Sequence, residues 1–307
     1  MPKFSAQSNI TIQSPIQQVY DVITDFSQWG QWSPWLILEP EAIVKVSEDN
    51  KFYSWEGKRV GNGQMKITKE NAPYDFESDL NFIKPFKSYA QIIFQLKTKE
   101  DETEVTWIMH SSLPFFMFWM TKTMVTLMEM DFGRGLHMLK AYVETGSVPS
   151  QLEFAGESDF SGGTYIGIKN EASMASIGDV MSADFKKLWE FLKDKNDLVD
   201  GKGLSIYHKW DLKKKSTQFT SAVQVKKAPD QLPEGMFVGT MPSTRIYTVR
   251  HTGPYTHLGN AWSAGQNLMR SKVFKAGKAT HPFEVYQNLP GEVPDQELVT
   301  EINFAVK

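Results

Sequence analysis

Glu301 lies in a strand-like run near the end of the chain, ELVTEINFAV, while the earlier run that answers it, QFTSAVQVKKA, carries no acid. Matching Thr220-Ser221-Ala222-Val223 to Thr300-Glu301-Ile302-Asn303 puts Ser221 at the place Glu301 holds, so the acid occurs in one copy only. Strand alternation sets Val299, Glu301 and Asn303 on one face and Thr300, Ile302 and Phe304 on the other. A carboxylate in an aromatic pocket has two uses. It can pair with a ligand cation, or burial can raise its pKa until it works as a general acid or base. The plainer alternative is a solvent-facing acid near a chain end.

Aromatic residues recur where such a pocket would need walls. Tyr255 and Trp262 stand seven apart, two turns along one helical face. Tyr207 and Tyr286 are mates in the same repeat, because Ser205-Ile206-Tyr207 answers Glu284-Val285-Tyr286. Trp189 lies in the helix before them. Flat rings suit an aromatic or cationic guest; packing of helix on sheet is the competing use of each, and weighs slightly more for Trp189.

Other chemistries are missing from the sequence. There is no cysteine, which removes disulfides, thiolate metal sites and thiol nucleophiles. The six histidines show no HExxH and no pair at helical metal-ligand spacing. No nucleophile elbow, phosphate-binding loop or dinucleotide fingerprint occurs, so neither a metal nor a cofactor is expected.

The elements that must position these residues form two halves. In the first, Phe4 to Ile12 alternates and ends at Ser14-Pro15, read as an N-cap followed by proline at the first helical position. PIQQVYDVITDF is helical. Strand-like runs separated by turns occupy about 41–110, and a long helix is expected over 119–144. The second half is a duplicated strand–helix–strand–strand module, with offsets of 79 and 80 residues between matching strands. Its first helix, SIGDVMSADFKKLWEFLKD, carries the stripe Ile177, Met181, Phe185, Leu188 and Leu192. A pseudo-twofold pair with a groove between two equivalent helices follows. The expected fold class is α+β, with domains at 1–148 and 157–307 joined by a linker at 149–156.

The 307 residues are 41% hydrophobic and 22% charged, with a net charge of −3. Neither half has the basic excess of a nucleic-acid binder, and Lys213-Lys214-Lys215 reads as a solvated turn. Leu113 to Met130 is too polar to span a bilayer, and MPKFSAQSNITIQ lacks a signal peptide's apolar stretch. A soluble, cytoplasmic chain is expected, with no membrane and no nucleic acid as direct partners. A protein partner stays open.

These residues also carry two resemblances. DFSQWGQWSPW, YSWEG, GNGQM, VTWIM and FGRGLHMLKAYVE, together spanning 3–145, resemble the SRPBCC superfamily, in its polyketide cyclase/dehydrase-like, START-like branch. That resemblance implies a curved antiparallel sheet gripping a long C-terminal helix around an apolar tunnel. Trp32, Trp35, Trp55, Phe82, Phe94 and Trp107 are candidates to line it, against core packing. Met117, Phe118 and Trp119 stand where a lid often lies. HTGPYTHLGNAW, PFEVYQN, PGEVPDQELVTEI and NFAV, within about 157–307, resemble the GyrI-like domain, the effector-binding domain of AraC-type and MerR-type regulators. In that family a glutamate in the Glu301 strand faces cationic aromatic ligands. Without a helix-turn-helix segment before this domain, the expected function is a small-molecule sensor or sequestering module for amphipathic, aromatic or cationic compounds. The ligand set is Glu301, Tyr255, Trp262, Tyr207, Tyr286 and Trp189. The alternative is a hydrolase of electrophilic small molecules with Glu301 as base and Tyr255 or Tyr286 orienting the substrate.

Overall fold

The computed structural model describes residues 3–85, 87–195 and 197–307. The chain divides into two compact units between Pro149 and Ser150.

The first unit runs β1 (Lys3–Ile12), α1 (Ile16–Thr24), α2 (Trp29–Trp32), β2 (Ile43–Val46), β3 (Phe52–Glu56), β4 (Asn62–Asn71), β5 (Asp75–Lys84), β6 (Ser88–Lys99), β7 (Glu102–Ser112) and α3 (Thr121–Thr145). The strands form one antiparallel sheet ordered β1-β7-β6-β5-β4-β3-β2. Alternation drives its inner face: Ala90, Ile92, Phe94 and Leu96 on β6, with Val105, Trp107 and Met109 on β7, are all buried. α3 lays Phe132, Leu136, Leu139 and Val143 on that face. This is the expected α+β helix-grip layout.

Gly135 lets α3 approach closely, since a β-carbon there would stand 2.8 Å from the Trp107 ring. Trp107 in turn stacks on Phe132 at 4.7 Å between centroids and meets Phe94 at 4.9 Å and Trp32 at 5.9 Å. Of the aromatic residues expected around a tunnel, Trp32, Phe94 and Trp107 are thus fully buried against other rings, while Trp35, Trp55 and Phe82 are half-buried. At the start of α1, the Ser14 hydroxyl donates to the Gln18 side chain rather than capping a backbone N–H.

The second unit runs β8 (Gln151–Phe160), β9 (Gly163–Ser173), α4 (Ile177–Leu192), β10 (Val199–Asp211), β11 (Ser216–Val225), β12 (Met236–Met241), β13 (Thr244–Thr252), α5 (Gly259–Arg270), β14 (Phe283–Tyr286) and β15 (Val299–Ala305). Its sheet is ordered β12-β9-β11-β10-β14-β15-β13-β8. That order reads the same from either end when β9, β11 and β10 are matched to β13, β15 and β14. The axis of the repeat therefore passes between β10 and β14. The segment expected as a linker, 149–156, mostly belongs to β8, an edge strand paired with β13. Gly156, at φ 85°, sits at the register shift between Thr248 and Val249, where a bulge favours glycine. β12 is the opposite edge.

Candidate functional site

α4 is amphipathic in two directions. Leu188 and Leu192 are buried against Ile166, Val223 and Val225 of β9 and β11. Ile177, Met181, Phe185 and Trp189, each four residues from the next, face a cavity instead. Across it stand Tyr207 of β10, Glu284 and Tyr286 of β14, and Tyr255 with Leu258 ahead of α5; Leu289 and Pro290 close one side. Its volume is about 470 Å³, within the range of about 300–1,000 Å³ usual for small-molecule sites.

Glu284 is the acid in this cavity, and only 2% of it is exposed. The Trp262 indole donates to its Oε1 at 2.5 Å and the Tyr286 hydroxyl to its Oε2 at 2.6 Å. Tyr207 supplies a third hydrogen bond. Tyr286 Oη also lies 2.9 Å from Ser205 Oγ. Because the single tyrosine proton goes to the carboxylate, the serine is the donor in that contact. Ser205 is the repeat mate of Glu284 and its register partner across the axis. The two copies of the module thus meet at this point, one contributing a hydroxyl and the other a carboxylate.

Burial raises the Glu284 pKa above the ordinary glutamate value, and the three donors oppose the shift without cancelling it. Among the described residues, no cationic side chain acts on it. Lys186 is the one cation among the described lining residues, and it is exposed at the edge. Burial, then the charge of Glu284, pushes Tyr255 up to about 12 and holds Tyr207 and Tyr286 far above the tyrosine range. All three rings stay neutral donors at physiological pH. Phe185 meets Tyr286 edge-on at 5.4 Å, and Tyr255 meets it at 5.8 Å.

Four of the expected residues, Tyr207, Tyr255, Tyr286 and Trp189, come together on this cavity. Trp262 reaches it through Glu284 and packs against Tyr207 at 4.8 Å. Glu301 does not line it. Its register partners are Val285 and Arg250, whereas Glu284 pairs with Ile302, so the two acids project to opposite faces of the sheet. One Glu301 oxygen accepts from Arg250 at 2.9 Å and 3.1 Å, and the other accepts from Gln287 at 2.8 Å.

Glu284 was missing from the sequence-based set although the signal for it was present. Ser205 answers Glu284 in the repeat, the same serine-to-acid asymmetry that the sequence shows between Ser221 and Glu301. A second buried acid, Asp184 of α4, is satisfied by Asn170 at 2.8 Å and 2.9 Å and by Ser221 at 3.0 Å. It ties helix to sheet. Among the described residues there is no group of three acids or histidines able to hold a metal.

Residues 3–144 match the family model described as polyketide cyclase / dehydrase and lipid transport, and residues 161–307 match that of the GyrI-like small molecule binding domain. No protein with a curated description matches the sequence. Among solved structures, the chain is similar to the EcmrR C-terminal domain, at 17% identity and TM-score 0.43, over 52% of this chain and 98% of that one. It is similar to SAV2435 bound to tetraphenylphosphonium, at 15% identity and TM-score 0.40, over 50% of this chain and 94% of that one. A third is XoxI from Bacillus cereus, at 15% identity and TM-score 0.37, over 46% and 96% of the two chains.

Proposed function

We propose that this chain, which joins a polyketide cyclase/dehydrase and lipid transport domain to a GyrI-like small molecule binding domain, holds an amphipathic aromatic cation in the cavity of the second, with Glu284 as counter-charge. The protein then acts as a sensor or sequestering module for such compounds. One observation carries the reading. A buried carboxylate, hydrogen-bonded by Trp262, Tyr207 and Tyr286 but paired with no cation among the described residues, opens onto a cavity walled by aromatic rings. An ionised acid in such a place is costly unless something positive joins it. A ligand cation supplies that charge, and the negative faces of the rings attract it further. The donors fix the carboxylate in place before the ligand arrives, which lowers the ordering cost of binding.

The hydrolase alternative puts the base at Glu301, whose oxygens are occupied by Arg250 and Gln287. Nothing in that arrangement favours it.

Calorimetric titration with tetraphenylphosphonium and tetraphenylborate, matched in shape and opposite in charge, tests the proposal. The cation is expected to bind and the borate to fail. Equal binding, or a preference for the borate, would remove Glu284 as the recognising charge.

A further inference from the structure

A short 3-10 helix, Phe115–Met120, follows β7, and none of its residues is buried. Phe115, Phe116, Phe118 and Trp119 are 76%, 63%, 67% and 65% exposed. Four bare rings within five residues exceed the scattered exposure ordinary on a protein surface and mark an interaction site. Strand register shows what surrounds them. The end of β7 pairs with the start of β1 at Lys3–Ser112 and with the start of β6 at Ala90–Ser111, and Ser88 pairs with Phe82 near the end of β5. Exposed Tyr89 and Ile83 therefore share this end of the sheet. So do Lys3, Lys84, Lys87 and Lys122, all exposed and none ion-paired among the described residues. Of the acids nearby, Asp79 accepts the Tyr89 hydroxyl, and Glu56 lies two strands along, just before Lys58 and Arg59.

We infer that this end of the first unit docks on the surface of an anionic lipid bilayer, with the aromatic helix entering the headgroup region and the lysines meeting the lipid charge. Aromatic rings favour the membrane–water boundary. Shallow anchoring takes two signals, an apolar one and a basic one, and this end carries both. A second copy of the chain fits worse, because a symmetric contact through this patch brings lysines against lysines. The absence of a membrane partner was expected from the lack of a spanning segment, and no described helix is long and apolar enough to cross a membrane. Surface docking makes no such demand on length. The inference stands apart from the cavity of the second unit.

Co-sedimentation of the full chain with phosphatidylcholine vesicles, alone or with about one third phosphatidylglycerol, tests it. Binding to the anionic vesicles is expected to exceed binding to the neutral ones by on the order of tenfold. It is expected to collapse between about 0.1 M and about 1 M salt, as the screening length falls from about 10 Å to about 3 Å. The variant Phe116→Ser/Phe118→Ser/Trp119→Ser should lose binding, and so should Lys84→Glu/Lys122→Glu. All five sites are exposed, and circular dichroism checks that both variants fold. Failure of the wild type to sediment with anionic vesicles overturns the inference, as does sedimentation of both variants at the wild-type level. A dimer in sedimentation equilibrium that the triple variant breaks, without vesicle binding, assigns the patch to a second copy and also overturns it.

Discussion

Glu284 and Glu301 stand on adjacent strands one register step apart, yet their side chains leave the sheet in opposite directions. Glu284 pairs with Ile302 and turns toward α4 and α5; Glu301 pairs with Val285 and turns away from them. The first is buried with no cationic partner among the described residues, and the second is held by Arg250. The same residue type therefore has two electrostatic fates, set by strand parity alone.

Cation binding should follow the protonation of Glu284. Its pKa lies above the ordinary 4.5, so affinity for tetraphenylphosphonium is expected to rise with pH as the carboxyl ionises and then to level off. Titrations at a series of pH values, in wild type and Glu284→Gln, check this. The mutant should show no such rise.

Stability carries the opposite sign. The folded chain holds the Glu284 proton more tightly than the unfolded chain does, so this group's stabilisation is complete below about 4.5 and is lost as pH rises through the folded value. Glu284→Gln is neutral at every pH. Its melting temperature should match the wild type in acid and exceed it at neutral pH. Thermal melts at both pH values read the difference.

His251 gives an independent pH signature. It is fully buried, with Nε2 3.0 Å from Ser150 Oγ, which also accepts from Asn260 at 3.2 Å. Burial favours the neutral form of the imidazole. Burial, then His257, lowers its pKa from 6.5 to about 4. The stability this contributes is present above about 6.5 and lost as pH falls toward 4, at most about 3 kcal/mol in total. Denaturant midpoints should fall over that window in the wild type and much less in His251→Gln.

Gly265 sets two effects against each other. Alanine in a helix interior is worth about 1 kcal/mol over glycine. A β-carbon at Gly265, however, would collide with the buried ring of Phe304 on β15. Overpacking of that kind costs about 1–3 kcal/mol, so Gly265→Ala should destabilise the second unit despite its better propensity. Urea unfolding of the two proteins measures the sign.

Much of the architecture was legible because it rests on periodicity. The buried alternation of β6 and β7, the stripe of α3 and the duplicated module all show in residue spacing. The edges were harder to see. β8 buries little of either face and is interrupted by Gly156, so QLEFAGESDF gives no clean alternation.

At the cavity, Tyr207, Tyr255, Tyr286 and Trp189 are among the lining residues, and the acid there is Glu284 rather than Glu301. The register pairs Ser205 with Ser221 and Glu284 with Ile302, so Ser221 corresponds to Ile302, an offset of 81 rather than the 80 read from sequence. A slip of one residue moves a strand's side chains to the other face. With the offset corrected, the mate of Glu301 is Thr220, which contacts His208 rather than the cavity. The connection between the two strands runs 212–215 in one module and 287–298 in the other, and connections of such unequal length leave the register to be set by the paired strands.

The central claim is that Glu284 supplies the charge that recognises the ligand. Calorimetric titration of tetraphenylphosphonium into wild type, Glu284→Gln and Glu301→Gln tests it most directly. Removing one partner of a buried charge pair costs about 2–5 kcal/mol, so Glu284→Gln should weaken binding by at least on the order of thirtyfold. Glu301→Gln should stay within about twofold of wild type, because Glu301 lies on the other face. Full affinity in Glu284→Gln together with its loss in Glu301→Gln would contradict the account and return the ligand to the opposite side of the sheet.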